Sequence, residues 1–292
     1  MAKPLENPGS VALRAGAEAN VVRSEPVVEF ARKKSPVPAT DSLGDSQPSN
    51  GHSGAEREGT PFCLADLPRI PLPRDASRPI VTANQRYAIA ALESYKGLRT
   101  RLMKFQASRG CHSIAITSVG RAQGKTLTAF NLACCCAQVE NQSVLLIDGD
   151  LRSRSLTKLV GGLPAVGLAD VMSGKASSQD AIVRTDLRNL YVMGAGTSAG
   201  SSMELFSTGR WGELVRWSQH HFKIALVDGL SMGEFADFEL IAPECDGVLM
   251  VVRARSTMRE ALKMAVEQID ANKLIGVVWN ASDSGDGNLL YS

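Results

Sequence analysis

Ser113-Ile114-Ala115-Ile116-Thr117-Ser118-Val119-Gly120-Arg121-Ala122-Gln123-Gly124-Lys125-Thr126 is an apolar run that opens into a glycine-containing loop ending in Gly-Lys-Thr. A segment of small residues follows at helical spacing. A second apolar run then ends in Asp148-Gly149-Asp150-Leu151-Arg152. The order is strand, loop, helix, strand, acidic turn. Such a loop works by aiming backbone N–H groups and a helix N-terminus at an anion. Lys125 is expected against the outer phosphates of a nucleoside triphosphate, with the Thr126 hydroxyl on Mg²⁺.

Outward from this stretch, strands and helices alternate. Strands are predicted at Ser113–Ser118, Ser143–Asp148, Leu190–Gly194, Lys223–Asp228, Gly247–Arg253 and Ile275–Asn280. Helices are predicted at Lys125–Val139, near Leu156 and Leu168, and at Met203–His220, Ala236–Ala242 and Met258–Asn272. The strands are mostly continuous apolar runs, as expected where both faces are buried. The fold class expected is α/β: a doubly wound, mainly parallel sheet of the P-loop NTPase type with flanking helices. Right-handed crossovers place the loops after the strands along one edge. Ala91, Tyr95, Leu98 and Leu102 mark one face of a further helix upstream.

Eleven of the thirteen prolines precede residue 80, among Ser, Gly, Glu and Arg. Residues 1–83 are therefore expected to be a mostly disordered tail. Residues 84–283 form the nucleotide-binding domain, and 284–292 a short C-terminal tail. The chain has 292 residues, 44% hydrophobic and 21% charged, with net charge +2. That charge gives no argument for nucleic acid as a partner. No secretory signal and no apolar run of about 18 residues is read, so no membrane span is expected. The six cysteines, including Cys134-Cys135-Cys136, have neither disulfide nor zinc spacing and are expected as buried, reduced thiols. A cytoplasmic protein is expected, brought to the inner face of a membrane only by a partner.

The chemistry is expected at the ends of the strands. Asp148 and Asp150 suit Mg²⁺ and its water, or an incoming hydroxyl; alone, the same turn is a capping turn. Asp228 ends Ile224-Ala225-Leu226-Val227 in the manner of a Walker B aspartate. Asn280 ends the last strand, where an amide can read a base edge. The expected nucleotide contacts are Gly120, Gln123, Gly124, Lys125, Thr126, Leu127, Arg152 and Asn280. Thr126, Asp148 and Asp228 are the metal side, and Lys125, Asp148, Asp150 and Asp228 the catalytic set. Two loop positions depart from the usual signature. Val119 stands where Gly is usual, and Ala122 stands where related loops have Gly. A left-handed Ala122 costs about 1 to 2 kcal/mol, roughly tenfold in affinity if binding bears it.

Several segments in order resemble the capsular and exopolysaccharide type of bacterial tyrosine autokinase (BY-kinase), a branch of the MinD/ParA-like P-loop ATPases. They are Glu93-Ser94-Tyr95-Lys96-Gly97-Leu98-Arg99-Thr100, the Walker A′-like Val144 to Arg152, and Gly167-Leu168-Ala169-Asp170-Val171-Met172-Ser173-Gly174. Ser202-Met203-Glu204-Leu205-Phe206-Ser207, Asp246 to Arg253, Thr257 to Ala261 and Gly276-Val277-Val278-Trp279-Asn280 complete the set. The resemblance covers about residues 84–280. It implies ATP and Mg²⁺ as cofactors and transfer of a phosphoryl group to tyrosine on a neighbouring subunit. It implies a membrane polysaccharide copolymerase as partner, and ring-like self-association through Glu93, Lys96 and Arg99; the bland reading of those three is a solvated face with local salt bridges.

Three features depart from that family. Its loop usually reads Gly-Glu-Gly-Lys, against Ala122-Gln123-Gly124-Lys125 here. Its Walker B aspartate is followed by Thr-Pro-Pro, whereas Asp228 precedes Gly229-Leu230-Ser231. Its C-terminal tyrosine cluster is reduced to Tyr291, the sole candidate phosphoacceptor at that end. Two readings stay open: an ATP-dependent tyrosine kinase, or a degenerate nucleotide-binding scaffold of the same machinery. A MinD/ParA-type spatial ATPase is a weaker third, because Gly120 stands where those proteins carry an extra lysine.

Overall fold

The computed structural model describes residues 25–30, 62–73, 86–197, 200–232 and 237–282. Among the described residues nine strands form one sheet: β1 (Glu25–Phe30), β2 (Arg69–Ile70), β3 (Ser113–Ser118), β4 (Val144–Asp148), β5 (Ile182–Thr185), β6 (Leu190–Met193), β7 (Ile224–Ser231), β8 (Gly247–Arg253) and β9 (Leu274–Ser282). Their spatial order is β1-β9-β8-β3-β7-β4-β6-β5-β2. From β9 to β6 every pair is parallel. β1 and β5 run antiparallel to their inner neighbours.

Helices cover both faces: α1 (Arg86–Arg109), α2 (Lys125–Ala137), α3 (Ser155–Val160), α4 (Leu168–Met172), α5 (Ser202–Phe206), α6 (Arg210–His221), α7 (Asp237–Ile241) and α8 (Arg259–Glu267). Alternate strand residues point to opposite faces, so one sheet feeds two cores. Ile114, Ile116, Leu146 and Leu226 pack with Leu98 and Leu102 of α1 and Phe130 and Leu132 of α2. Ala115, Leu145, Ile147 and Val227 pack with Trp211 and Leu214 of α6 and Phe238 of α7. The expected doubly wound, mainly parallel α/β fold is the one observed.

Three features differ from the sequence reading. The helix expected over Met203–His220 is two helices, α5 and α6, because Gly209 sits between them at φ 77°; only glycine holds that left-handed turn without strain. The helix expected over Met258–Asn272 is confined to Arg259–Glu267. β5 was not foreseen, being four residues with an arginine in the middle.

The tail expected over 1–83 contributes structure in two places. β1 pairs with β9 on one edge, and β2 pairs with β5 on the other. Residues 62–73 pack as well as pair. Phe62 stacks edge-on to His221 and lies 5.2 Å from the Trp217 ring. Leu67 and Leu72 are buried. β1 and β2 are thereby the two edge strands of the sheet. Among the described residues no helix is long and apolar enough to cross a membrane. All six cysteines are free and all but Cys63 are buried. Burial pushes the thiols of Cys135 and Cys136 up to about 11 and about 12, so they stay protonated and unreactive.

Candidate functional site

The site lies at the C-terminal ends of β3 and β4 and beside Asp228 within β7, three adjacent central strands. The loop after β3 enters α2 through Gly124, which caps the helix at φ 88°. A Cβ built there would collide with the side-chain amide of Asn280. Gly124 is thus fixed twice, by its backbone angle and by the side chain across from it. Asn280 donates from Nδ2 to the Gln123 carbonyl at 2.9 Å, so this amide ties the end of β9 to the loop.

Ala122 sits at φ 57°, the left-handed conformation that its missing Gly would supply. The loop is braced there: Arg253 Nη1 reaches the Ala122 carbonyl at 3.4 Å. The Gln123 side chain is buried. With its amide oriented by the surrounding hydrogen bonds, it donates to the Val251 carbonyl at 3.1 Å and accepts from Thr257 Oγ1 at 3.2 Å and Gly120 N at 3.3 Å. Gln123 therefore holds the loop from beneath through its side chain.

Lys125 and Thr126 begin α2, with Leu127 next and half-buried. Lys125 Nζ lies 2.8 Å from Asp228 Oδ1, the carboxylate fully buried and the lysine 11% exposed. Burial pushes the Asp228 carboxyl above the ordinary range, and the Lys125 ammonium pulls it back only in part.

β4 and β7 place Asp148 and Asp228 directly opposite each other. Asp148 Oδ2 accepts from Thr157 N at 2.7 Å and Thr157 Oγ1 at 2.6 Å. Burial, then the charge of Asp228, pushes Asp148 up to about 7 against the pull of those two donors. Asp148 Oδ1 and Asp228 Oδ2 are buried with no hydrogen-bond partner among the described residues. Orphaned buried carboxylate oxygens are costly, and here they flank a loop built for phosphates. With the Thr126 hydroxyl they form an all-oxygen donor set, which suits a hard divalent cation. No group of three or more His, Cys, Asp or Glu side chains among the described residues forms a metal cage of its own. The set fits Mg²⁺, which takes few carboxylates and shares its remaining positions with phosphates and water.

The other sequence candidates are placed as follows. Asp150, 8% exposed, accepts from Ser153 N at 2.9 Å, so it does cap the turn; its charge also reaches both Asp148 and Asp228. Arg152 makes a two-point contact with Asp237, Nε to Oδ2 at 3.2 Å and Nη2 to Oδ1 at 3.5 Å. Asp237 is fully buried and accepts from the Ser202 hydroxyl as well. Glu93 and Lys96 form an exposed ion pair at 2.7 Å. Arg99 donates to the Cys135 carbonyl at 3.1 Å, at the end of α2. Tyr291 lies outside the described residues. Sequence reasoning missed Thr157 and Asp237 as supports of the site, because they carry no motif, and it gave Arg253 and Thr257, which lie in segments of the family resemblance, no role at the loop; all four meet the site only in three dimensions.

No protein-family model matches the chain. The tyrosine-protein kinase CpsD of Streptococcus pneumoniae is 28% identical over 173 residues, 58% of this chain and 76% of CpsD. The tyrosine-protein kinase Wzc of Salmonella typhi is 28% identical over 194 residues, 65% of this chain but only 27% of Wzc. Among solved structures, the chimerical protein CapA2B2 superposes with a TM-score of 0.64 at 27% identity, covering 76% of this chain and 96% of that one.

Proposed function

The chain is homologous to the bacterial tyrosine-kinase family represented by CpsD and Wzc, and on that premise we propose that it binds Mg·ATP and transfers the γ-phosphoryl group to tyrosine. The observation that carries this reading is the pair of partnerless oxygens, Asp148 Oδ1 and Asp228 Oδ2, beside the Lys125–Thr126 loop end. A retired site has no reason to keep two buried carboxylates face to face, since each costs stability unless something pairs with it.

Thr126, Asp148 and Asp228 would hold Mg²⁺, and the backbone from Gly120 to Thr126 would cradle the phosphates. When bound, the ion screens the charge that builds on the β- and γ-phosphates. Lys125 exchanges Asp228 for phosphate oxygens and neutralises the same charge. The tyrosine oxygen attacks the γ-phosphorus, the bond to the ADP oxygen breaks, and the phenolic proton passes to a carboxylate. Asp150 suits that last role, because it is the more exposed of the two, at 8% against 0%, while Asp148 is tied down by Thr157. Leu127 and Arg152 would border the nucleotide, and the Asn280 amide would meet the base.

The acceptor is proposed to be Tyr291 or another tyrosine of a neighbouring copy, brought close by self-association through the α1 face carrying Glu93 and Lys96. The role proposed is regulation of exopolysaccharide or capsule synthesis and export, with a membrane copolymerase as the docking partner that recruits the protein to the inner membrane face. A second reading, a nucleotide-binding scaffold without kinase activity, is favoured by one observation: β7 continues past Asp228 to Ser231, which pairs with Ser118 of β3 after an irregularity in the register, so the segment after Asp228 belongs to the sheet. Incubation with Mg·ATP followed by mass spectrometry for phosphotyrosine separates the two. Modification lost in Asp150→Asn supports the kinase; ATP binding without any phosphotyrosine supports the scaffold.

A further inference from the structure

We infer that Thr157 is a positioning residue for Asp148, fixing its carboxylate so that Oδ1 alone faces the metal side of the site. Thr157 lies in α3, nine positions after Asp148. Its backbone N–H and its hydroxyl both donate to the same oxygen, Oδ2, at 2.7 and 2.6 Å. The hydroxyl has one proton to give, and its direction is set from the far side. Ala195 N donates to Thr157 Oγ1 at 2.9 Å, occupying a lone pair and leaving the O–H to point at Asp148.

The threonine thus joins three elements, the end of β4, α3 and the segment after β6. Asp148 is fully buried, so water cannot take over these bonds if they are lost. Rotating the carboxylate would leave the two Thr157 donors facing the same pair of oxygens in exchanged roles, but any tilt that freed Oδ2 would strand them. One oxygen is therefore saturated and the other is left without a partner among the described residues. That division is what a metal-facing carboxylate needs: supporting hydrogen bonds orient a ligand and raise its affinity for the metal. The effect of losing such a partner is typically 10- to 100-fold.

This inference rests on the Mg·ATP reading and is separable from it. The experiment is nucleotide titration with Mg²⁺ and with EDTA, on the wild type, Thr157→Val and Thr157→Ser, with melting temperatures to verify the fold. Thr157→Val keeps the shape and the backbone N–H but removes the hydroxyl. The expected result is a loss of about tenfold in the Mg²⁺ enhancement of ATP binding, with the EDTA affinity unchanged and Thr157→Ser close to wild type. A merely structural role would lower both affinities together. Thr157→Ala takes the place of Thr157→Val if that variant does not fold. Full Mg²⁺ enhancement in folded variants lacking the hydroxyl overturns the inference and leaves the proposed function standing. A wild type that binds no nucleotide in either condition overturns both.

Discussion

Asp148 and Asp228 stand opposite each other in register across β4 and β7, each with one buried oxygen that no described residue partners. Burial first, and then repulsion between the two carboxylates, pushes Asp148 up to about 7. In the absence of metal, folded Asp148 keeps its proton from about pH 4 to 7, while in the unfolded chain it is already ionised there. Its folded pKa is raised, so the stability it contributes is fully present at low pH and is lost as pH rises through that window. Comparing urea unfolding of the metal-free wild type with Asp148→Asn from pH 5 to 8 is expected to show the wild type losing stability relative to the variant. Mg²⁺ must displace the same proton, so its apparent affinity is expected to fall by up to about tenfold per pH unit below 7.

Ala122 is already at φ 57° with its loop formed and braced by Arg253, Gln123 and Asn280. The strain of about 1 to 2 kcal/mol is therefore borne in folding and not in binding. Ala122→Gly is expected to relieve it, less about 0.4 to 1 kcal/mol for the freer unfolded chain. Denaturant unfolding should show a modest net gain, and ATP titration a Kd changed by less than about threefold. A tenfold tighter Kd would mean that the loop forms only around the nucleotide.

Gly124→Ala meets both the left-handed backbone and the Asn280 amide. It is expected to cost about 2 kcal/mol or more, the sum of the backbone term and a displaced hydrogen bond. Asn280→Ala removes the obstacle. The double variant should therefore be more stable than the two single losses added together, by about 1 kcal/mol in a denaturation cycle.

Asp237→Ala strips a fully buried carboxylate from both the Ser202 hydroxyl and the Arg152 guanidinium. Leaving those donors unmatched is expected to cost about 1 to 3 kcal/mol, read as a lowered urea midpoint. Arg152→Ala, at a side chain 44% exposed, is expected to cost less, although it exposes the same carboxylate.

Much of this was legible in the chain because the signals were local. The run from Ser113 to Thr126 and the turn from Asp148 to Arg152 each carry their meaning within a few residues, and the apolar strands announce a sheet buried on both faces. Gly124 and Lys125 needed only their own neighbourhood. What the sequence did not disclose depends on distant contacts. The bond from Asn280 to the Gln123 carbonyl and the inward hydrogen bonds of the Gln123 side chain to Val251 and Thr257 join residues more than a hundred positions apart. β2 is two residues within a proline-rich stretch, made a strand only by the β5 edge beside it. Thr157 and Asp237 sit in short helices with no pattern of their own, and their partners lie nine and 85 positions away.

Calorimetric titration of the protein with Mg·ATP, with Lys125→Ala as the control, tests the central claim most directly. The account predicts micromolar binding that the lysine substitution weakens by at least about a hundredfold, as expected for loss of a phosphate-binding charge in a desolvated site. No heat of binding up to millimolar ATP, or equal binding by the wild type and Lys125→Ala, would contradict it.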